Sequence, residues 1–206
     1  MTPDAGSSSR DLVSPKPAAR LPAQVKMTYR GHNLCFETDS GVFSRTELDR
    51  GTEVLLNALP ENVSGTVLDM GCGYGVIGVA VGAQWPACRI TMADINQRAC
   101  GLAQENAMRS GVAAEVLESD GYAKVLGRKF DWILQNPPIR AGKAVIYQMF
   151  ADAARCLNPE GELWPVPGEK FVYTVAVSGT GYHIENRNAS RDVYEGRQYE
   201  IGRAHV

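Results

Sequence analysis

The chain has 206 residues, 44% of them hydrophobic, which suits one domain around a single core. A formal net charge of −2 excludes a polycation that grips nucleic acid through its overall field, so such a contact would need a local basic patch. Five cysteines without a Cys-x-x-Cys pair and three scattered histidines argue against a disulfide framework or a metal centre, and for a reducing compartment.

No apolar run reaches the roughly 18 residues of a membrane span, and the N-terminus lacks an apolar signal core, so a cytoplasmic protein without a membrane contact is expected. Residues 1–26 are rich in Ser, Pro and Ala and read as a disordered extension. Arg10, Arg20 and the serines also fit a transit peptide, against which Asp4 and Asp11 stand. Residues 33–36 and 42–43 flank the turn Thr38-Asp39-Ser40-Gly41 and suggest a short hairpin. Residues 47–59 read as a helix on Leu48, Leu55, Leu56 and Leu59, stopped by Pro60.

Strand and helix then alternate. Strands are expected at 66–70, 90–93, 114–117 and 130–134, with a fifth opening at 162–164. Helices are expected at 75–83, 96–110 and 144–157; Glu105 and Asn106 on the second are assigned no chemistry, and Trp85-Pro86 reads as a turn with a packed indole. The alternation predicts an α/β fold with a doubly wound, Rossmann-like sheet and ligands at the carboxyl ends of its strands.

Gly71-Cys72-Gly73-Tyr74-Gly75 lies where the first of these strands becomes a helix, and glycines there let backbone approach a ligand closely. Gly73 to Gly78 also spells G-x-G-x-x-G, with Asp94 at the spacing of a ribose-binding acid. On this segment alone a nicotinamide dehydrogenase and a methyltransferase stand level. Asp69 shifts the balance. A carboxylate two residues before the first glycine can hold an ammonium, as S-adenosylmethionine presents, whereas it repels a pyrophosphate.

Asn136-Pro137-Pro138 follows the fourth strand of the series. After an arbitrary strand it would be a terminating turn, but at a carboxyl end beside a glycine loop it reads as a site. An exocyclic amine is a poor nucleophile because its lone pair is delocalised. The Asn136 side-chain carbonyl and the Pro137 backbone carbonyl can hold its two hydrogens and favour pyramidalisation, and the prolines stiffen the backbone around them.

The segments Gly41-Val42-Phe43-Ser44, Leu48-Asp49-Arg50-Gly51-Thr52, the glycine loop and Asn136-Pro137-Pro138-Ile139-Arg140-Ala141-Gly142-Lys143 together resemble the class I methyltransferases of the methyltransferase small domain family. Within it, the chain is similar to ribosomal small-subunit RNA guanine-N2 methyltransferases and their single-domain homologues, over residues 27–164. The resemblance implies S-adenosylmethionine as cofactor, with Asp69, Gly71 and Gly73 on its methionine part, Asp94 on the ribose and Asp120 on the adenine amine. Phe43 and Thr52 would close that site, and Asn136, Pro137 and Pro138 would hold the target nitrogen. It implies guanine N2 in small-subunit ribosomal RNA as target, with ribosomal RNA or the small subunit as partner. A glutamine amide, an adenine amine and a cofactor-binding domain without turnover remain alternatives. Ile139 departs from the pattern, where a Tyr or Phe can stack on a flipped base, and Tyr74 or Phe43 are the substitutes to consider. Arg140 and Lys143 fit phosphate contacts and fit a solvated basic loop equally well.

After Trp164 the family pattern breaks. Pro165 and Pro167 interrupt the fifth strand, no helix-period segment follows, and residues 171–177 alternate as a strand would. Residues 200–206 match translated sequencing adapter, so 165–206 read as an atypical, frameshifted tail in which the closing hairpin of the sheet is missing.

Overall fold

The computed structural model describes residues 23–42, 47–137, 143–165, 173–178 and 181–186. The first two strands, β1 (Ala23–Tyr29) and β2 (His32–Thr38), pair antiparallel around Arg30 and Gly31, which both take positive φ. The hairpin expected at 33–43 therefore lies earlier, with β1 starting at Ala23. The period-2 pattern explains the register: Val25, Tyr29, Leu34 and Phe36 are buried, while Lys26, Thr28, Asn33 and Cys35 face outward.

The alternating series follows its expected course. It comprises α1 (Arg50–Ala58), β3 (Thr66–Met70), α2 (Val76–Gln84), β4 (Arg89–Asp94), α3 (Gln97–Arg109), β5 (Ala114–Glu118), β6 (Phe130–Gln135), α4 (Lys143–Cys156) and β7 (Leu157–Pro165). Strands β3 to β7 form one parallel sheet in the order β5-β4-β3-β6-β7. The order turns back between β3 and β6, and a parallel sheet opens a ligand crevice at such a switch point.

Strand alternation divides the core. Val67 of β3 and Leu134 of β6 join the cluster formed with α1, α2 and α3, whereas Leu68, Met70 and Ile133 pack with Phe150, Ala153 and Cys156 of α4. Helix α2 comes close to the sheet because it carries glycines. A Cβ on Gly78 would lie 2.6 Å from the Met92 side chain, and one on Gly82 would lie 2.4 Å from Val112. The β1–β2 hairpin caps this helical layer: Tyr29 donates its hydroxyl hydrogen to Leu56 O, and the Trp85 indole, which donates to Glu61 O, meets the Tyr29 ring edge-on.

At the other end, α4 passes directly into β7, whose last residue, Pro165, pairs with Gln135. A proline is tolerated at such a strand end, so it closes β7 without breaking it. Beyond it, β8 (Tyr173–Ser178) and β9 (Gly181–Asn186) pair antiparallel as a two-stranded sheet of their own, with β8 beside β7. Residues 200–206 lie outside the described residues.

Asn106, fully buried on α3, ties three elements together. Its Nδ2 donates to Tyr74 O (2.8 Å) and Glu37 O (3.0 Å), and its Oδ1 accepts from Glu37 N (2.8 Å). Asn106→Ala leaves these buried backbone groups unpaired, and a loss of about 2–4 kcal/mol is expected in urea unfolding. A loss below about 0.5 kcal/mol, as for an ordinary surface change, would contradict this role.

Candidate active site

The carboxyl ends of β3, β4, β5 and β6 converge on one rim. Past Met70 the chain turns through Gly71, Gly73 and Gly75, with φ of 72°, 54° and 91°, a region that side chains with a Cβ rarely enter. The turn is anchored to β4: Gly71 N and Cys72 N both donate to Ala93 O, and Gly73 N donates to Asp94 Oδ2 at 2.8 Å. The other Asp94 oxygen accepts from Asn96 N at 2.8 Å. A Cβ built on Gly71 or Gly73 would meet no atom within 4 Å, so the turn borders open space.

Beneath the turn lies Asp69, fully buried, with Oδ2 accepting from Gly78 N at 2.8 Å. Its Oδ1 is equally buried and has no partner. Burial pushes this carboxyl up to about 7, against the lowering effect of the Gly78 N–H and with added repulsion from Asp94. Asp120 follows β5 on the same rim and is exposed, while the neighbouring Ser119 N donates to Asp94 O.

Asn136 stands at the end of β6, partly buried, and Pro137 is buried behind it. The Asn136 Nδ2 donates to Asp49 Oδ2 at 2.6 Å and to Thr52 Oγ1 at 3.1 Å. Both N–H groups of the amide are thereby used, which leaves Oδ1 available as an acceptor. Thr52 thus sits on the Asn136 amide. Asp49, not among the expected site residues, is also the N-cap of α1, accepting from Thr52 N at 3.0 Å. Only its place in a short Leu-Asp-Arg-Gly-Thr segment hinted at more.

Tyr74 does not offer a face for stacking. It is 4% exposed, packs edge-on against Phe36 with centroids 6.0 Å apart, and its phenol is pushed to about 12 by burial with Asp49 adding repulsion. Phe43, Pro138, Ile139 and Arg140 lie outside the described residues; Lys143 is the first residue of α4. Among the described residues no group of three His, Cys, Asp or Glu side chains is placed to hold a metal, and no helix is long and apolar enough to cross a membrane.

The family model of the methyltransferase small domain matches residues 33–191, well past Trp164. The chain belongs to the methyltransferase small domain family. Fold and family together make it an S-adenosylmethionine-dependent methyltransferase. It is 39% identical over 166 residues to the uncharacterized protein YbxB of Bacillus subtilis (strain 168), covering 79% of this chain and 83% of that one. It is 43% identical over 127 residues to ribosomal RNA small subunit methyltransferase C of Pasteurella multocida (strain Pm70), covering 60% of this chain but 38% of that protein. The methyltransferase thus spans less than half the length of that relative. Among solved structures, the T. thermophilus 16S rRNA N2 G1207 methyltransferase (RsmC) in complex with AdoMet and guanosine superimposes with a TM-score of 0.66 at 25% identity, over 82% of this chain and 51% of that one.

The Asp69 carboxyl carries a pH signature. Because its folded pKa lies above that of an unfolded Asp, its contribution to stability is complete below about pH 4 and is lost as pH rises through about 7. Urea midpoints of the wild type should therefore fall more between pH 5 and pH 8 than those of Asp69→Asn. Parallel profiles for the two proteins would contradict the buried, protonated carboxyl.

Proposed function

We propose that the chain methylates an exocyclic amine with S-adenosylmethionine, and that this amine is guanine N2 in small-subunit ribosomal RNA. The observation that carries the reading is the Asn136 amide, whose two N–H groups are held by Asp49 and Thr52 so that its Oδ1 remains for a donor. An amine target presents such donors. The relatives named as small-subunit RNA methyltransferases, and a solved relative that holds guanosine, favour guanine among amines.

The residues fit the cofactor. The unpartnered Asp69 Oδ1 suits the ammonium of its methionine part, and the open space beside Gly71 and Gly73 admits that part against the backbone. Each Asp94 oxygen accepts one N–H, which leaves a lone pair on each for the ribose hydroxyls. Asp120, exposed on the rim after β5, is assigned to the adenine amine, and Phe43 with Thr52 to the closing of the site. When bound, the cofactor supplies a methyl carbon on a sulfonium that departs as a neutral thioether.

The protein's own part is positioning. Asn136 Oδ1 and the Pro137 carbonyl accept the two amine hydrogens, which pulls the nitrogen lone pair out of conjugation and fixes its direction. Pro138 is assigned to stiffening that backbone. No strong base is required, because the nitrogen becomes cationic and then releases its proton to water. Ile139 is assigned to the face of the base, and Arg140 and Lys143 to flanking phosphates.

Labelled methyl transfer to unmodified small subunits, naked ribosomal RNA and protein fractions tests the target. Label in N2-methylguanosine is expected, whereas label in protein, in adenosine or in no fraction would overturn the reading. Asn136→Ala should lower the transfer rate roughly 100- to 1,000-fold, the scale of one preorganised polar contact, with cofactor affinity within about twofold of wild type. Cofactor binding needs Asp69 ionised, so affinity should weaken roughly tenfold from pH 8 to pH 6. Calorimetry in two buffers of different ionisation heat reads the accompanying proton release; pH-independent affinity would remove Asp69 from the ammonium.

A further inference from the structure

An N-cap needs only a hydrogen-bond acceptor, and Ser, Thr, Asn and Asp serve nearly alike. Asp49 does more than this. The same Oδ2 that caps α1 accepts from Asn136 Nδ2, 87 residues further along the chain, at 2.6 Å, a short hydrogen bond onto a carboxylate. An amide beside a carboxylate has one favourable orientation. Reversed, its carbonyl oxygen would face Oδ2, two acceptors with no hydrogen between them. A neutral Ser cap, whose hydroxyl can accept from Thr52 N and either donate to or accept from Asn136, would impose no such choice.

Gly51 supplies a second observation. It lies in the first turn of α1, where Ala is the better helix former by about 1 kcal/mol. A Cβ there would lie 2.9 Å from Asp49 Oδ2 and 3.0 Å from Asn136 Oδ1. The glycine keeps clear the flank of the same carboxylate and the same amide oxygen. Two residues of α1's start are thus fitted to an amide at the end of β6.

We propose that Asp49 is a positioning residue that dictates, through its negative charge, which end of the Asn136 amide faces the target, and that Gly51 leaves the room this requires. The proposal rests on Asn136 holding the target amine. The carboxylate also polarises the amide, since a charged acceptor on the N–H side draws electron density toward Oδ1 and makes it a better acceptor.

The test separates capping from orientation. Asp49→Ser keeps an equally good cap, so the unfolding midpoint and the KM for S-adenosylmethionine should stay at wild-type values. The new side chain can donate as well as accept, the Asn136 amide loses its fixed sense, and kcat should fall roughly 10- to 100-fold. Asn136→Asp alone sets two carboxylates against each other. Asp49→Ser with Asn136→Asp restores one donor facing one acceptor and leaves a carboxylate oxygen toward the target, so its kcat should exceed that of either single variant about tenfold or more. Gly51→Ala should keep stability and lose turnover. Wild-type kcat in Asp49→Ser, or a double variant no better than the singles, would overturn the proposal.

Hydrogen exchange of the Asn136 side-chain amide, followed by NMR without any acceptor, separates this proposal from the functional reading. Slow exchange in the wild type and fast exchange in Asp49→Ser are expected. If that contrast is found while no amine substrate is methylated, the reading of function fails and the bracing stands; equal exchange in both proteins overturns the bracing alone.

Discussion

Everything in this site depends on how the chain leaves β3. A parallel strand must hand its direction to a helix within a few residues, and here three left-handed glycines do so while two successive amides, Gly71 N and Cys72 N, share the Ala93 carbonyl. That sharing ties the turn to β4 before any ligand enters. Gly73 N then reaches Asp94, so the carboxylate assigned to the ribose is itself held by the loop it serves. The glycines at 78 and 82 continue the same logic into α2, whose close approach over Met92 and Val112 brings the Gly78 N–H onto Asp69.

The two halves of the rim follow different electrostatic strategies. On the cofactor half, a fully buried carboxyl is left half-satisfied, a state that costs free energy in isolation and favours a cationic partner. On the target half, the charge of Asp49 is satisfied and used to orient a neutral amide. The first arrangement suits attraction of a charged ligand. The second suits a neutral, weakly nucleophilic nitrogen, for which direction counts for more than charge.

Much of this was legible in the sequence. Residues 66–70 form a compact apolar run because a strand covered on both faces has no polar side, and the run ends in glycines because a ligand-facing turn needs them. Asn136 stood out in the sequence because two prolines follow it at the end of a buried strand. The first hairpin was misplaced because Asp39-Ser40-Gly41 is a stronger turn signal than Arg30-Gly31, although Val25, Met27 and Tyr29 already alternated with polar residues. Pro165 read as a break but closes a strand that begins at Leu157, with no loop after α4 to announce it. Asp49 and Asn106 stayed silent for a shared reason: an acidic helix cap and a helical asparagine are ordinary locally, and their partners lie far away in the chain.

That distance bears on how the protein comes to be folded. The chain between Asp49 and Asn136, which lie 87 positions apart, contains β3, β4 and β5 with their helices. Contacts that close so long a loop are reached late, after nearer pairings have shortened the path between their ends. As the chain is made, α1 and its cap emerge first and must wait for β6 to slot beside β3. The cofactor end of the rim can therefore be complete while the amide has yet to arrive, and assembly of the target end reports that β6 has joined β3 in register.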